Sequence, residues 1–206
     1  MSSRHKHKRL FNRISLVYGL FFTMQRKTYR KVINKMKPTL NLEDFDSIID
    51  IGCGTGALCS VLDDKGLSVT GLDTAEKMIK VAKKKNKNSS IHFVQGDILE
   101  TIPFEKNTFD IAIASYVAHG LKKEDRLKMY NAMKHIAKDY VIFHDYNKKR
   151  NPITSIIEWA EGGDYFYFIE HAEDEMRECQ QDLEHCFKSV KVINVGTRSN
   201  WYICKV

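Results

Sequence analysis

One stretch organises the chain: Ser47-Ile-Ile-Asp-Ile-Gly-Cys-Gly-Thr-Gly56. Its first half is a short apolar run rich in β-branched residues, which is typical of a buried strand. Its second half has glycine at alternate positions, Gly52, Gly54 and Gly56, before an apolar helical pattern begins at Ala57. Glycine permits a left-handed backbone and a close approach to a ligand, and the first turn of a helix presents N–H groups to that ligand. The stretch therefore predicts a strand, a ligand-binding turn and the start of a helix.

Four more strand-like runs follow the glycine turn, and helical patterns separate most of them. The runs cover residues 67–72, 91–95, 109–114 and 140–143. Alternation of strands and helices is the pattern of a parallel sheet with helices on both faces. Two last runs, 190–195 and 201–206, are separated by Gly196 to Asn200, which predicts a hairpin and an antiparallel final strand. We expect an α/β fold with a doubly wound, mostly parallel seven-stranded sheet and an antiparallel last strand.

Apolar residues at helical spacing predict the helices around this sheet. Residues 10–36 form either two amphipathic helices or one that is broken near Gly19, and Pro38 closes this segment. A helix over 57–65 ends at Gly66, and the next helix, capped by Asp73 or Thr74, ends near residue 85. Two more helices are expected from the apolar sets Leu127, Tyr130, Met133, Ile136, Ala137 and Met176, Cys179, Leu183, Cys186, Phe187.

The composition is that of an ordinary soluble globular protein, with 43% hydrophobic and 29% charged residues in a chain of 206. That length suits one α/β domain with small additions. The net charge of +7 arises partly from two basic runs, Arg4 to Arg9 and Lys83 to Lys87. Such runs can contact phosphate or an anionic membrane, but solvated tails and helix ends carry them more often. Contact with nucleic acid is therefore left open and not favoured.

Cysteine usage and hydropathy indicate the compartment. The chain has five cysteines, an odd number, and no CxxC pair, which argues against a disulfide framework or a zinc site. The apolar stretch 14–22 is too short to span a bilayer, and it carries Tyr18 and Gly19 without a small-residue cleavage site. We therefore expect a cytoplasmic protein that is neither secreted nor transmembrane.

Polar residues stand at the strand ends where a doubly wound sheet binds its ligands. They are Asp50, Asp73, Asp97, Ser115 and Asp145. Asp73 lies 23 positions (73 minus 50) after Asp50, close to the spacing that places a carboxylate on a ribose. A carboxylate can accept from both hydroxyls of a ribose diol, so Asp73 predicts a nucleoside with free 2′ and 3′ hydroxyls. The G-x-G-x-G spacing differs from the G-x-G-x-x-G turn that holds a pyrophosphate, which makes a nicotinamide dinucleotide the weaker alternative.

These motifs together resemble those of class I S-adenosylmethionine-dependent methyltransferases. The matching elements are Asp50-Ile-Gly-Cys-Gly-Thr-Gly56, Gly71-Leu-Asp73, Gln95-Gly-Asp97 and Phe109-Asp-Ile-Ala-Ile-Ala-Ser115, within residues 45 to 145. The resemblance implies S-adenosyl-L-methionine as cofactor and S-adenosyl-L-homocysteine as product, with Asp73 on the ribose, Asp97 at the adenine amino group and Ile98 beside the ring. The cofactor-binding residues that it implies are Asp50, Gly52, Cys53, Gly54, Gly56, Asp73, Thr74, Met78, Gly96, Asp97, Ile98 and Ser115.

Methyl transfer from a sulfonium is an in-line displacement, so alignment and exclusion of water supply much of the acceleration. A general base is needed only where the acceptor must lose a proton. His119 follows the fourth strand, and an unperturbed imidazole titrates near neutrality, so His119 is a candidate base; a helix cap or a loop position is its commoner role. Side chains alternate along a strand, so one of His144 and Asp145 is expected to face the site, and Asp145 is preferred. The candidate catalytic residues are His119, Tyr116, Asp145 and Tyr18, and no metal is expected.

The acceptor is predicted from weaker signals. The fourth strand ends in Ala-Ser-Tyr-Val and lacks the Asn/Asp-Pro-Pro-aromatic motif of many methyltransferases that act on exocyclic adenine nitrogen or glutamine amide. The segment around Phe11, Tyr18, Phe21 and Phe22 is loosely similar to the lid helix of small-molecule methyltransferases, including the ubiquinone and menaquinone group; a core-packing helix is the competing interpretation. We expect a small-molecule acceptor. Methylation of RNA or protein through the basic runs, and cofactor binding without catalysis, are the alternatives.

These inferences divide a single methyltransferase domain, residues 1–206, into four parts. They are N-terminal lid helices in 1–37, a cofactor-binding core in 45–146, an acceptor-side insertion in 147–172, and a C-terminal helix and hairpin in 173–206. Trp159 in the insertion and Tyr146 just before it are further acceptor-side candidates. The oligomeric state is left open.

Overall fold

The computed structural model describes residues 21–100, 103–146, 178–197 and 199–206. They form one seven-stranded sheet with helices on both faces, which confirms the predicted α/β class. The strands are β1 Ser47–Ile51, β2 Ser68–Asp73, β3 His92–Gln95, β4 Phe109–Ser115, β5 Ala137–Tyr146, β6 Ser189–Asn194 and β7 Ser199–Lys205. The helices are α1 Phe22–Met36, α2 Ala57–Asp63, α3 Glu76–Lys85, α4 Lys123–Ile136 and α5, whose described part covers 178–186.

The strand order is β3-β2-β1-β4-β5-β7-β6. β1 is parallel to β2 and β4, and the outer pairs β2–β3 and β4–β5 are parallel as well. β7 runs antiparallel to both β5 and β6, so the other strands share one direction and the last strand opposes them. This topology confirms the doubly wound sheet and its antiparallel final strand. The order reverses between β1 and β4, which places a crevice at the carboxyl ends of these two strands.

Two apolar cores lie on the two faces of the sheet. On one face, α1, α2 and α3 pack through residues that include Val32, Leu62 and Ile79. On the other face, α4 and α5 contribute residues such as Met133 and Leu183. Because side chains alternate along a strand, the central strands are buried on both faces and only their ends are available for a site.

α1 forms where the sequence predicts the second half of the N-terminal helical segment. Val32, Ile33 and Met36 of the predicted apolar stripe are buried, and Tyr29 is half-buried. The helix ends at Met36, shortly before Pro38. The remainder of the predicted lid, residues 1–20, lies outside the described residues.

Some element boundaries differ from the sequence prediction. Ala137 is the first residue of β5 and not the end of α4, and β5 extends well beyond the predicted run 140–143. The sequence prediction was too short because polar residues occupy both ends of β5. Pairing with β4 and β7 continues through these residues. α3 begins after Ala75, so neither Asp73 nor Thr74 is its N-cap residue, and that prediction is wrong. The Asp73 carboxylate instead accepts the N–H of Ala75 itself.

Asp110 on β4 links two strands at the amino edge of the sheet, the end at which the parallel strands begin. Its Oδ2 accepts hydrogen bonds from the backbone N–H groups of Asp46 and Ser47, each at 3.0 Å, and from the Ser47 hydroxyl at 3.1 Å. Burial acts to raise the pKa of the Asp110 carboxyl, but these hydrogen bonds and the nearby Lys138 lower it below its usual value. The carboxylate thus ties the start of β1 to β4.

Candidate functional site

The glycine turn lies at the carboxyl end of β1, before α2. Gly52, Gly54 and Gly56 all have left-handed backbones, with φ of 73°, 52° and 75°. A Cβ on Gly52 would come within 2.6 Å of Val117 Cγ2, and one on Gly56 within 2.8 Å of the Phe93 ring. A Cβ on Gly54 would meet no atom within 4 Å. Packing within the fold therefore excludes side chains at the outer two glycines, and Gly54 is the one of the three that faces open space.

Asp73, the last residue of β2, holds this turn in place. Its Oδ2 accepts a hydrogen bond from the Gly54 N–H at 2.8 Å, and its Oδ1 accepts one from the Ala75 N–H at 2.8 Å. Burial raises the pKa of the Asp73 carboxyl, and these two hydrogen bonds oppose the rise. Each carboxylate oxygen has two lone pairs, so both keep capacity for a further donor such as a ribose hydroxyl. The residue predicted to bind a ribose thus lies directly against the open glycine.

The other predicted cofactor residues near β2 and β3 fall into two groups. Thr74, Gly96 and Asp97 follow the strand ends and are half-buried, and Asp97 Oδ1 accepts the backbone N–H two residues onward at 2.9 Å. Met78 and Ile98 have exposed fractions of 2% and 7% and are packed within the fold. The first group therefore presents polar atoms at the sheet edge, whereas the second contributes to the apolar interior beneath it.

Asp50 and Cys53 are buried beneath the glycine turn. Asp50 is 2% exposed, and its Oδ2 accepts a hydrogen bond from the Cys59 thiol at 3.3 Å. Burial raises the pKa of the Asp50 carboxyl to about 7, against the lowering effect of the Cys59 contact. For the Cys53 thiol, contact with Cys59 lowers the pKa, but burial and the carboxylates of Asp73 and Asp50 raise it to about 11. Asp50 is thus a buried acid whose ionisation state changes near neutral pH.

His119 and Asp145, which are separate candidates in the sequence analysis, form a hydrogen-bonded pair. His119 Nδ1 lies 2.8 Å from Asp145 Oδ1, and the His119 backbone N–H donates to Asp145 Oδ2 at 3.2 Å. A 3₁₀ turn, Ala118–Gly120, holds the histidine after β4, and Asp145 is 5% exposed near the end of β5. An ionised carboxylate only accepts, so opposite it Nδ1 is the donor, and a neutral imidazole then has its basic lone pair on Nε2. The pair has the geometry of a base and the carboxylate that orients it.

Tyr116 occupies a strained position immediately after β4. Its φ of 58° is left-handed, which is uncommon for a bulky side chain. Its backbone N–H donates to the His144 carbonyl at 2.8 Å, and its hydroxyl lies 3.3 Å from His144 Nε2. Strain of this kind persists only where surrounding contacts enforce it, and it is concentrated at functional sites. The structure therefore places Tyr116 at the same sheet edge as the His119–Asp145 pair.

His144 and Asp145 lie on opposite faces of the sheet, as strand alternation requires. Asp145 meets His119 after β4, whereas the His144 ring contacts Tyr29 of α1 at a centroid distance of 6.0 Å. His144 is 1% exposed. Burial lowers its pKa to about 4, against the opposing effect of Asp145, so the imidazole is neutral at pH 7. Both residues have polar partners at the strand ends, where sequence reasoning expected one of them to matter.

α1 contributes residues that sequence reasoning either assigned to helix packing or passed over. The Tyr29 hydroxyl approaches Ser115, although Ser115 Oγ is buried without a hydrogen bond of good geometry in the described chain. Burial, and next the charge of Asp50, raise the pKa of the Tyr29 phenol well above its usual value, so the phenol stays protonated. Gln25 Oε1 accepts a hydrogen bond at 3.2 Å from Thr55 of the glycine turn. The sequence signal for this role is a tyrosine within the apolar stripe of α1.

Two predicted site residues, Tyr18 and Trp159, lie outside the described residues. Within the described ranges, no group of three or more His, Cys, Asp or Glu side chains is arranged to hold a metal ion. None of the helices in those ranges has the length and hydropathy needed to cross a membrane. The five cysteines are free thiols. The lysines of the run 83–87 are exposed at the end of α3.

Residues 48–139 match the family model of a methyltransferase domain. A demethylmenaquinone methyltransferase of Staphylococcus carnosus is 33% identical over 118 residues, which are 53% of this chain and 47% of the relative. A malonyl-[acyl-carrier protein] O-methyltransferase of Priestia megaterium is 28% identical over 117 residues, which are 56% of this chain and 42% of the relative. The chain thus spans less than half the length of these two curated relatives.

Solved structures share the fold at low sequence identity. A proposed S-adenosyl-L-methionine-dependent methyltransferase from Methanococcus maripaludis superposes with a TM-score of 0.72 at 20% identity, covering 94% of this chain and 92% of that one. Magnesium protoporphyrin IX methyltransferase from Synechocystis PCC 6803, crystallised with S-adenosyl-L-homocysteine, gives a TM-score of 0.60 at 18% identity, covering 87% and 82%. At such identities the likeness concerns the arrangement of the chain.

Proposed function

We propose that this protein transfers the methyl group of S-adenosyl-L-methionine to a small molecule, since residues 48–139 match the family model of a methyltransferase domain and solved methyltransferase structures share its fold. The domain match supports the family resemblance of the sequence motifs. The observation that carries the proposal is the contact between the open glycine, Gly54, and Asp73 at the carboxyl edge of the sheet. A nucleoside bound at this edge meets a carboxylate for its ribose hydroxyls and an unobstructed backbone beside it.

The described residues fit S-adenosyl-L-methionine in three places. Asp73 is assigned to the ribose, Asp97 to the adenine amino group, and the turn 52–56 to the amino-acid end. Beneath that turn, the Asp50 carboxyl in its ionised form favours a cation nearby. When bound, the cofactor supplies an electrophilic methyl group, and the chain orients the acceptor and excludes water. The remaining cofactor residues of the proposal are Cys53, Thr74, Met78, Gly96, Ile98 and Ser115.

We assign the general base to His119, with Asp145 as the residue that positions it. The Nδ1–H hydrogen bond to Asp145 keeps the lone pair on Nε2, which accepts the proton of the acceptor as its bond to the methyl group forms. The Asp145 carboxylate then stabilises the imidazolium. Such a base suits an acceptor atom that carries a proton, such as a hydroxyl oxygen. Tyr116, and Tyr18 from the N-terminal segment, are assigned to the acceptor side.

The two curated relatives are named for metabolite acceptors, demethylmenaquinone and a malonyl group on a carrier protein, which supports a small-molecule acceptor here. We propose that the lid, 1–37, and the insertion, 147–172, close over this acceptor, with 45–146 as the cofactor-binding core and 173–206 completing the domain. Five free cysteines suit a reducing compartment, and we place the protein in the cytoplasm.

Calorimetry with S-adenosyl-L-methionine and S-adenosyl-L-homocysteine tests the cofactor part of the proposal. Both ligands are expected to bind, and Asp73→Ala is expected to weaken binding by about 10- to 100-fold, because a charged hydrogen-bond acceptor is lost. Asp110→Ala is the matched control, since it removes a carboxylate with similar backbone contacts at the opposite edge of the sheet. Absence of binding to the wild-type protein would contradict the proposal.

A labelled-methyl experiment tests the acceptor part. Cell extract is incubated with the protein and methyl-labelled cofactor and is then fractionated into metabolites, RNA and protein. Label is expected in the metabolite fraction. Label in RNA, with binding that weakens steeply as salt rises, would indicate an RNA acceptor. Label in protein would indicate a protein acceptor. Either result would contradict the small-molecule acceptor. Cofactor hydrolysis without transfer would indicate a binding protein and not an enzyme.

A further inference from the structure

A row of three side chains crosses the sheet at its carboxyl edge. Ser115 of β4 is the register partner of His144 of β5, and His144 is the register partner of Trp201 of β7. Register partners on neighbouring strands project from the same face, here the face that α1 covers. We call Ser115, His144 and Trp201 the polar row. The His144 and Trp201 rings lie next to each other, with centroids 6.3 Å apart.

Two members of the polar row carry buried polar atoms without a partner. Trp201 Nε1 and Ser115 Oγ are inaccessible to solvent and make no hydrogen bond of good geometry within the described part of the chain, although the Tyr29 hydroxyl approaches Ser115. Trp201 as a whole is 1% exposed. A buried donor without an acceptor is destabilising, and folded proteins retain few of them, so each one requires an explanation. An acceptor atom brought by a ligand would supply the missing partner.

The groups around the polar row offer donors without positive charge of their own. His144 is neutral at pH 7, because burial lowers its pKa to about 4. The Tyr116 hydroxyl lies 3.3 Å from His144 Nε2, and burial raises its pKa, so it stays protonated. Tyr29, which lies over His144, is protonated for the same reason. A ligand atom that accepts hydrogen bonds fits these surroundings.

Tyr29 covers the row and packs against the core on this face, and exposed ion pairs hold the same part of α1. Arg26 and Arg30 each make an ion pair with Asp64 at 2.6 Å, and all three side chains are partly exposed. Ion pairs with such exposure contribute little to stability. Apart from Phe22, the buried apolar residues of the helix lie in its last turns. The subsite proposed below requires Tyr29 to move off the row while the end of the helix stays packed.

We infer that the polar row is the subsite for an uncharged acceptor molecule that carries a hydrogen-bond-accepting oxygen, such as a ketone, an ester or a phenol. The inference rests on the proposed methyltransferase function and adds the chemical class of its acceptor. The oxygen accepts from Trp201 Nε1–H and Ser115 Oγ–H once Tyr29 has moved aside. The orphaned donors then have the partner that the fold alone does not give them.

An anionic acceptor is disfavoured at the same place. Asp50 lies close enough to the Tyr29 phenol for its charge to raise the pKa of that group, and Asp145 has the same effect on Tyr116. Both carboxylates would repel a second negative charge brought into the row. The subsite therefore separates neutral acceptors from carboxylates of the same shape.

Three matched probes test this subsite: acetophenone, ethylbenzene and benzoate, which share one ring and carry a neutral oxygen, no oxygen and an anion. Each probe is titrated into ¹⁵N-labelled protein saturated with S-adenosyl-L-homocysteine, and the indole N–H signal of Trp201 is followed by NMR. The chain has two tryptophans, so Trp159→Phe assigns the signal. Acetophenone is expected to move the Trp201 signal downfield and to bind about 10-fold more tightly than either other probe.

Two variants locate the effect in the polar row. Trp201→Phe removes the donor and keeps a ring, and Ser115→Ala removes the hydroxyl without leaving a large cavity. Because Ser115 is also assigned to the cofactor, the affinity for S-adenosyl-L-homocysteine is measured for both variants. Either variant is expected to reduce acetophenone binding to the level of ethylbenzene. Trp201→Phe should keep the affinity for S-adenosyl-L-homocysteine, since the lost N–H has no partner in the fold. Tyr202→Phe, on the other face of β7, is the matched control and should change none of these values.

The inference is overturned if benzoate binds most tightly, or if acetophenone and ethylbenzene bind equally with an unmoved Trp201 signal. It is also overturned if both variants retain the preference for acetophenone. Failure of the wild-type protein to bind S-adenosyl-L-homocysteine would overturn the proposed function instead, so calorimetry on the same samples keeps the two failures apart.

Discussion

The carboxyl groups of Asp110 and Asp50, which lie at opposite edges of the sheet, have pKa values shifted in opposite directions. At the amino edge, Asp110 accepts three hydrogen bonds from Asp46 and Ser47, and its pKa is lowered. At the carboxyl edge, the pKa of Asp50 is raised to about 7 by burial, and a thiol is the one hydrogen-bond donor found for it among the described residues. Among the described residues, Asp110 therefore has backbone and hydroxyl donors for its carboxylate, whereas Asp50 has a single thiol.

The contrast extends to neutral groups. The unpartnered Ser115 Oγ and Trp201 Nε1, the left-handed Tyr116 and the open position at Gly54 all lie at the carboxyl edge. Unsatisfied polar atoms and strained backbone reduce stability, and a protein retains them where a ligand completes the contacts. The difference between the edges therefore supports the proposed site at the carboxyl edge.

The largest expected effect is on catalysis at the carboxyl edge. In Asp145→Asn, the amide no longer fixes the Nδ1–H tautomer of His119, so kcat is expected to fall by about 100- to 10,000-fold with cofactor affinity unchanged. Formation of S-adenosyl-L-homocysteine is measured with the acceptor found by the labelled-methyl experiment. Asp110→Asn, at the other edge, should retain the wild-type kcat. An unchanged kcat in Asp145→Asn would remove His119 as the base.

The second effect is on stability and follows from Asp50. Its carboxyl has a pKa of about 7 in the folded protein and 3.8 as its ordinary value. Between these pH values the unfolded chain releases a proton that the folded chain keeps, so stability falls as the pH rises through this window. Asp50→Asn is therefore expected to raise the free energy of unfolding at pH 8 by about 2–4 kcal/mol, with little gain at pH 4. Urea unfolding without cofactor measures both; equal effects at the two pH values would contradict the assigned ionisation.

The third effect is on stability at the amino edge, where the pH dependence of the free energy of unfolding has the opposite sign. The pKa of the Asp110 carboxyl is lowered on folding, so its contribution to stability is present above the ordinary value and is lost as the pH falls through the folded value. Asp110→Asn is expected to reduce the free energy of unfolding by about 1–3 kcal/mol at pH 7, because hydrogen bonds to a charge are lost. The deficit should shrink in acid. If Asp110→Asn were more stable than the wild-type protein, the proposed difference between the two edges would be wrong.

The smallest effect separates two glycines with similar backbones. Gly54 and Gly66 both have positive φ, 52° and 87°, and a Cβ on either would meet no atom within 4 Å. Alanine at either position is expected to cost about 1 kcal/mol of stability through backbone strain. Gly54→Ala should also weaken S-adenosyl-L-methionine binding by about 10-fold, since the methyl group points into the open side of the turn. Equal affinity in the two variants would show that Gly54 does not face the cofactor.

Sequence reasoning assigned the three glycines of the turn one common role, close approach to a ligand. The structure distinguishes Gly54 from the other two. All three need a left-handed backbone, but Val117 and Phe93 occupy the space next to Gly52 and Gly56. These neighbours come from other parts of the chain, so the local sequence could not reveal which glycine faces a ligand. Burial of Met78 and Ile98, which were predicted beside the cofactor, depends on tertiary packing in the same way.

The sequence by itself determined the strand, turn and helix at 47–63, the alternation that builds the sheet, and the acids at the strand ends. Hydrophobic period and glycine position act on the local backbone, and parallel strands bring their carboxyl ends to one edge in any such fold. Only the tertiary structure decided which side chains meet there. His119 and Asp145 are 26 positions apart, and Tyr29 reaches His144 from α1, so their pairing depends on how the helices pack on the sheet. Distant side chains meet through that packing, for which a local pattern carries no signal.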